Sequence, residues 1–209
     1  MSDTRGESLA DRVATLQERI KELRRAGDPA ALLAGTKAAA DEIEHRIGES
    51  PNEAEREALT AVKRLTFNAA ADCWPGWSIP VVSPDLRSLV AALELAQRSV
   101  RLVEKLGLGR LHEGTGIWLS GAFELALGRY ADASRTFAIA REHFIAAKAP
   151  GLALLVEGYV AIVRRVGGNE VPAGAEELNE VYARIAAGSF EDGAEWIEQL
   201  RTALKVFTR

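Results

Sequence analysis

Along the first half of the chain, apolar positions recur at spacings of three and four. Leu9, Val13, Leu16, Ile20 and Leu23 place one apolar stripe on a helix predicted over residues 7–26. Gly27 ends it, and Asp28-Pro29 opens the next as cap and first-turn proline. That second helix, over 29–47, turns Leu32, Leu33, Ala39, Ile43 and Ile47 inward. Gly48-Glu49-Ser50-Pro51 breaks it. A third helix, from 51 to 72, carries Ala58, Leu59, Val62, Leu65 and Ala69. The N-terminal stripe has two readings: docking onto the next helix, or a short coiled-coil seam.

Residues 73–84, CWPGWSIPVVSP, hold three prolines and a glycine and exclude a regular helix. Ser83-Pro84-Asp85 restarts one, with Leu89, Ala92, Leu93, Ala96, Val100 and Val103 facing in, and Gly107 and Gly109 close it. Further helices follow over 110–127, 130–148, 150–166 and 173–187, and a ninth runs to about Val206. Gly167-Gly168-Asn169 and Gly188-Ser189 punctuate the last three. No strand pair is evident. Short connections imply antiparallel neighbours.

Internal similarity adds to this picture. Gly128-Arg129-Tyr130-Ala131-Asp132-Ala133 is matched by Gly188-Ser189-Phe190-Glu191-Asp192-Gly193, and the fourth helix parallels the sixth at an offset of about forty residues. The segment 114–147 resembles the tetratricopeptide repeat family. Gly121 falls at the family's small position in the first helix, Ala133 and Phe137 match its A-x3-F spacing, Ala140 its next small position, and Tyr130 the aromatic after the turn glycine. Ser120, Glu124 and the late Pro150 depart from the pattern, and the helices are longer than the usual unit of about 34 residues allows. Residues 151–204 fit a second unit through Gly158 and Gly188. The resemblance implies antiparallel helical hairpins stacked as a short right-handed α-solenoid. A less regular region, 1–83, would precede the repeats at 84–209, the two forming one continuous unit.

Composition agrees with an all-α reading. Ala, Leu, Glu and Arg abound, and they lose little side-chain freedom in a helix. The net charge of −4 lacks the basic footprint of a nucleic-acid binder. No apolar run approaches the length of a membrane span, and the polar start MSDTRGESLADR has no signal-peptide pattern, so a cytoplasmic location is expected. One cysteine, Cys73, precludes an internal disulfide.

Catalytic signals are weak. Glu42 and His45 form one Glu-x-x-His, but carboxylate-bridged metal bundles need a second, and none exists. Cys73 has no base near it in sequence. No cofactor, metal site or catalytic set is expected. Trp74-Pro75-Gly76-Trp77 is the least ordinary local feature. It either folds back as a plug between the third and fourth helices or offers rigid aromatic anchors. By the solenoid analogy, Trp118 and Tyr159 line the concave side, with Arg64 and Asn68 added by the third helix.

These residues give the expectation of a non-enzymatic scaffold that binds a peptide or partner helix in an apolar groove, through Arg64, Asn68, Trp74, Trp77, Trp118 and Tyr159. The alternatives are self-association as a homodimer through the Leu9–Leu23 stripe or the Trp196–Phe207 segment, and a helical ligand sensor or enzyme whose polar groups meet only in space. Neither nucleic acid nor membrane is expected as a partner.

Overall fold

The computed structural model describes residues 7–78, 85–167 and 171–208; Ser83, Pro84, Gly168 and Asn169, singled out above, lie outside them. Among the described residues the chain forms nine α-helices and no strand. They are α1 (Leu9–Ala26), α2 (Pro29–His45), α3 (Glu53–Asp72), α4 (Leu86–Leu106), α5 (Arg110–Ala126), α6 (Tyr130–Ala146), α7 (Pro150–Val166), α8 (Val171–Ala187) and α9 (Gly193–Phe207), with a one-turn 3-10 helix at Pro75–Trp77.

The first four helices begin where polar side chains satisfy free backbone N–H groups. Ser8 Oγ accepts from the Asp11 N–H at 3.1 Å, and the Asp28 carboxylate from Ala31 at 3.1 Å. Asn52 and Glu55 form a reciprocal capping box with bonds of 3.0 and 2.8 Å. Asp85 accepts from the Ser88 N–H at 2.9 Å. The middle of the chain is regular in another way. α5, α6 and α7 begin at Arg110, Tyr130 and Pro150, so a hairpin occupies about forty residues. Gly128 and Lys148 hold left-handed backbones at φ 71° and 57° between these helices. Each is followed by the same terminating bond, Arg129 N–H to Glu124 O and Ala149 N–H to Phe144 O, both 2.9 Å. Lysine at the second position takes a conformation that glycine adopts more readily.

Successive helices pack as antiparallel hairpins, α1/α2, α3/α4, α5/α6 and α7/α8, stacked in two layers as in a solenoid. The inner layer is α1, α3, α5 and α7, each touching the next, and α9 continues it beyond α7. The outer layer is α2, α4, α6 and α8. The α1 stripe is spent on this stack: Leu16 and Ile20 are buried in it, and Leu9, Val13 and Leu23 pack against its core. The α9 stripe likewise packs on α7 and the 3-10 turn.

Small residues set the closest approaches. A Cβ on Gly121 would lie 2.9 Å from the Phe137 ring, so this glycine admits the α6 phenylalanine into α5, while Ala133 and Ala140 are fully buried on the same α6 face. The second unit solves the problem differently. Gly174 of α8, not Gly158 of α7, brings that hairpin together, since a Cβ there would meet the Ala161 carbonyl and the Arg165 N at 2.8 Å. Gly151 and Gly158 instead receive α9: Cβ atoms there would lie 2.4 Å from the Trp196 ring and 2.5 Å from Leu200. The sequence match of Gly128 with Gly188 also shifts by one, because Ser189 holds the left-handed turn at φ 52°.

Charge pairs tie neighbouring helices together within and between the layers. Arg98 of α4 reaches Asp41 and Glu44 of α2 at 2.6 and 2.7 Å, and Arg12 grips Glu42 with bonds of 2.5 and 2.8 Å. Glu157 of α7 joins Arg141 of α6 and Arg184 of α8 at 2.7 and 2.5 Å. Such partly exposed pairs fix register more than they add stability.

The glycine contacts predict a contrast. Gly174→Ala should destabilise by about 1–3 kcal/mol, because rigid backbone stands where the methyl must go and overpacking outweighs the gain of about 1 kcal/mol in helix propensity. Gly35→Ala should be near neutral or stabilising, because its obstacle is the mobile end of Leu23, 2.4 Å away. Urea denaturation of both variants measures the difference.

Candidate functional site

The Trp/Pro segment builds the centre of the inner face. Pro75 is preset for the first position of the 3-10 turn, and Gly76 lacks the Cβ that would stand 2.3 Å from the Trp74 ring, so the indole folds under its own backbone. Trp74 is 2% exposed, and its Nε1–H donates to the Ala122 carbonyl of α5 at 3.2 Å. Its ring centroid lies 5.7 Å from both Trp118 and Tyr159, 5.0 Å from Trp77 and 6.3 Å from Phe207. The first three of these contacts are edge-to-face, the arrangement that the ring quadrupoles favour. One side chain from the end of α3 thus contacts α5, α7 and α9 at once. It is a plug, but not between α3 and α4: those two helices pack directly on each other, leaving no slot.

α9 covers the cluster. Phe207 reaches Trp74, Leu200 sits on Gly158, and the Gln199 side-chain amide donates to the Tyr159 hydroxyl at 2.8 Å. Burial holds the Tyr159 phenol well above its ordinary pKa, so it stays neutral. Of the residues singled out from the sequence, Trp74, Trp77, Trp118 and Tyr159 are brought together. Trp118 and Tyr159 are buried, and only Trp77, 45% exposed, reaches solvent, with its Nε1–H on the Ala71 carbonyl. Arg64 and Asn68 stand apart. Arg64 borders a shallow depression on α3 with Arg56 and Glu57, and Asn68, one turn on, is exposed.

A second surface lies on the outer layer. α2 and α4 run side by side with a groove of about 1160 Å³ between them. Ala30, Ala34, Lys37, Asp41 and Glu44 form one wall at helical spacing, and Arg87, Ala91, Glu94, Arg98 and Arg101 the other. Leu33 and Leu95 make the floor, and Leu86, 67% exposed, stands at one end. The Arg98 pairs with Asp41 and Glu44 close the other end. Arg87, Glu94 and Arg101 line the rim; among the described residues none of them forms a salt bridge, and the Arg87 charge acts on the neighbouring Asp85 carboxylate. The sequence displayed these residues as an ordinary polar helix face; only the distance between two outer helices turns them into a groove.

The remaining candidates carry no assembled chemistry among the described residues. No group of three His, Cys, Asp or Glu could hold a metal there. Glu42 is engaged by Arg12, and His45 is exposed. Burial and the neighbouring Asp72 push the Cys73 thiol up to about 11, which leaves it protonated at neutral pH. No helix among them is long and apolar enough to cross a membrane. No protein-family model matches the chain, and comparison with curated proteins and with solved structures finds no match.

Glu124, where the repeat family usually has tyrosine, is half-buried between α5 and α6. Desolvation raises its pKa against the opposing contact with Thr136, and its Oε2 has no hydrogen-bond partner. A carboxyl whose folded pKa is raised favours folding when protonated, and that contribution is lost as pH rises through the folded value. Glu124→Gln should therefore raise the melting temperature at neutral pH, with the gain vanishing at acid pH below the ordinary carboxylate range, where the wild-type carboxyl is protonated both folded and unfolded. Thermal melts at both pH values read this. Trp74→Ala should cost about 3–5 kcal/mol, and Trp77→Ala about half as much, because nearly half of its surface already meets water. Chemical denaturation of the two variants gives the comparison.

Proposed function

We propose that this protein is a non-enzymatic scaffold built from divergent tetratricopeptide-like hairpins, and that it holds an amphipathic helix of a protein partner in the groove between α2 and α4. The observation that carries the reading is this groove, 1160 Å³ with an apolar floor, which no described residue covers, while the inner face is filled by the chain's own Trp74 and α9. Its walls are two helices whose facing residues repeat every three or four positions, and Ala30, Ala34 and Ala91 leave space for large side chains between them. Burial of those side chains, with Leu86 closing over one end, would supply the affinity.

The rim supports a charge preference. Arg87, Glu94 and Arg101 stand one heptad apart, positive, negative, positive, with no salt bridge among the described residues. A partner helix with acid, base and acid at the same spacing would neutralise all three. Such rim charges act mainly on orientation and association rate.

Capture from the native lysate on immobilised wild-type chain, Ala91→Arg and the double variant Arg87→Glu/Arg101→Glu tests the reading. Ala91→Arg fills the groove from a half-buried position and should keep the helicity of the wild type. A partner that binds wild type should lose at least about tenfold in affinity on Ala91→Arg, the effect of blocking an apolar contact of about 1.4 kcal/mol or more, and associate more slowly with the double variant. Partners retained equally by all three proteins would rule the groove out. A wild-type chain that sediments as a dimer, with Ala91→Arg a monomer, would replace the foreign partner by a second copy.

A further inference from the structure

The solvent face of an outer helix is expected to be polar, and that of α6 is not. Ala131, Ala138, Ile139, Ile145 and Ala146 are exposed there, interrupted by Arg135 and Glu142. At about 100° per residue all seven fall within one third of the helix circumference. Ile139 and Ile145 are 48% and 52% exposed. The neighbouring outer helix differs: α4 presents Glu94, Gln97, Arg101, Glu104 and Lys105 to water. A continuous apolar strip that the described residues leave exposed is a contact surface in search of a partner. It shares no residue with the groove between α2 and α4.

The two charges identify the partner. Arg135 and Glu142 are separated by two helical turns and lie along the middle of the strip, at equal distances from the point between Ala138 and Ile139. That point is close to the centre of the 17-residue helix. A copy of α6 laid antiparallel across it sets Arg135 opposite Glu142 of the copy, and two-fold symmetry makes the pair twice. Ala131 then faces Ala146, and Ala138 faces Ile139. The alanines let the two axes come close, while the isoleucines fill the space beside them. A parallel arrangement would instead oppose like charges, which costs affinity. Arg135 already holds Asp132 within its own helix, but a guanidinium has donors for two carboxylates. Glu142 is exposed and forms no salt bridge among the described residues. We propose that the protein forms a two-fold homodimer through antiparallel pairing of α6 with α6 of a second copy. Apolar burial supplies the affinity, and the reciprocal Arg135–Glu142 pairs fix direction and register. One helix against its copy buries less than about 1,200 Å², so the dimer is a weak one that forms and dissociates with concentration.

Sedimentation equilibrium of the full-length protein, from about 1 to about 500 μM, reads the association across the range expected of a weak interface. The wild type should pass from monomer to dimer over that range. Ile139→Arg places a charge at the centre of the strip and should leave the chain monomeric, with unchanged helicity because the position is exposed. Arg135→Glu and Glu142→Arg should each raise the dissociation constant at least about tenfold, since each opposes like charges twice. The double variant Arg135→Glu/Glu142→Arg restores opposite charges and should return to within about threefold of wild type. Ala91→Arg, which blocks the groove between α2 and α4, should dimerise as wild type does. A wild type that stays monomeric throughout would overturn the proposal, as would a dimer that Ile139→Arg leaves intact. A double variant that associates no better than the two single ones would contradict the antiparallel register and overturn it as well.

Discussion

The inner face of the stack depends on one side chain. Trp74 leaves the end of α3 and inserts its indole among Trp118 and Tyr159, with its N–H on the Ala122 carbonyl and Phe207 against its far side. A hairpin stack curves because its inner and outer helices differ in spacing, and an open concave face then exposes apolar surface. Here the chain closes that face itself. The wedge fixes the distance between α5 and α9, and Gly151 and Gly158 let α9 come down onto α7. The burial of Trp118, Tyr159 and Leu200 follows from these contacts.

This constraint decides where the proposed partner groove can lie. In a stack with an open inner face, the aromatic lining would be the natural site for a partner. With the wedge and α9 in place, a large groove that no described residue covers lies on the opposite layer, between α2 and α4, and the inner face carries a small pocket of about 190 Å³. The two surfaces differ in chemistry as in size. The outer groove is rimmed by charges, while the described lining of the inner pocket has indoles and no charged side chain.

Much of the fold was legible because it is local. The spacing of Leu9 to Leu23, the caps at Asp28 and Asp85, and the glycines at 27, 107 and 128 place helices to within a few residues, and the repeat of about forty residues follows from even connections. The pairing of Gly121 with Phe137 was readable because the two sit in one hairpin. Gly158 was not, since its partner Leu200 is on α9 and nothing in the local pattern separates a hairpin contact from a contact with the next helix. The aromatic residues could be recognised as related, but their burial depends on contacts among α3, α5, α7 and α9, far apart in the sequence. The outer groove was invisible for the same reason. Ala30, Ala34 and Ala91 look like helix-forming filler until two helices stand at a distance that leaves their methyls uncovered.

The account turns on the inner face being occupied by the chain's own Trp74 and α9, and amide hydrogen exchange on the full-length protein tests that most directly. If α9 is seated on α7 and the wedge, its central amides around Leu200 and Ala203 exchange as slowly as those of α7 around Tyr159, because both open only with the common core. If α9 exchanges orders of magnitude faster than α7, the inner face is open in solution, and the assignment of the partner groove to the outer layer is contradicted.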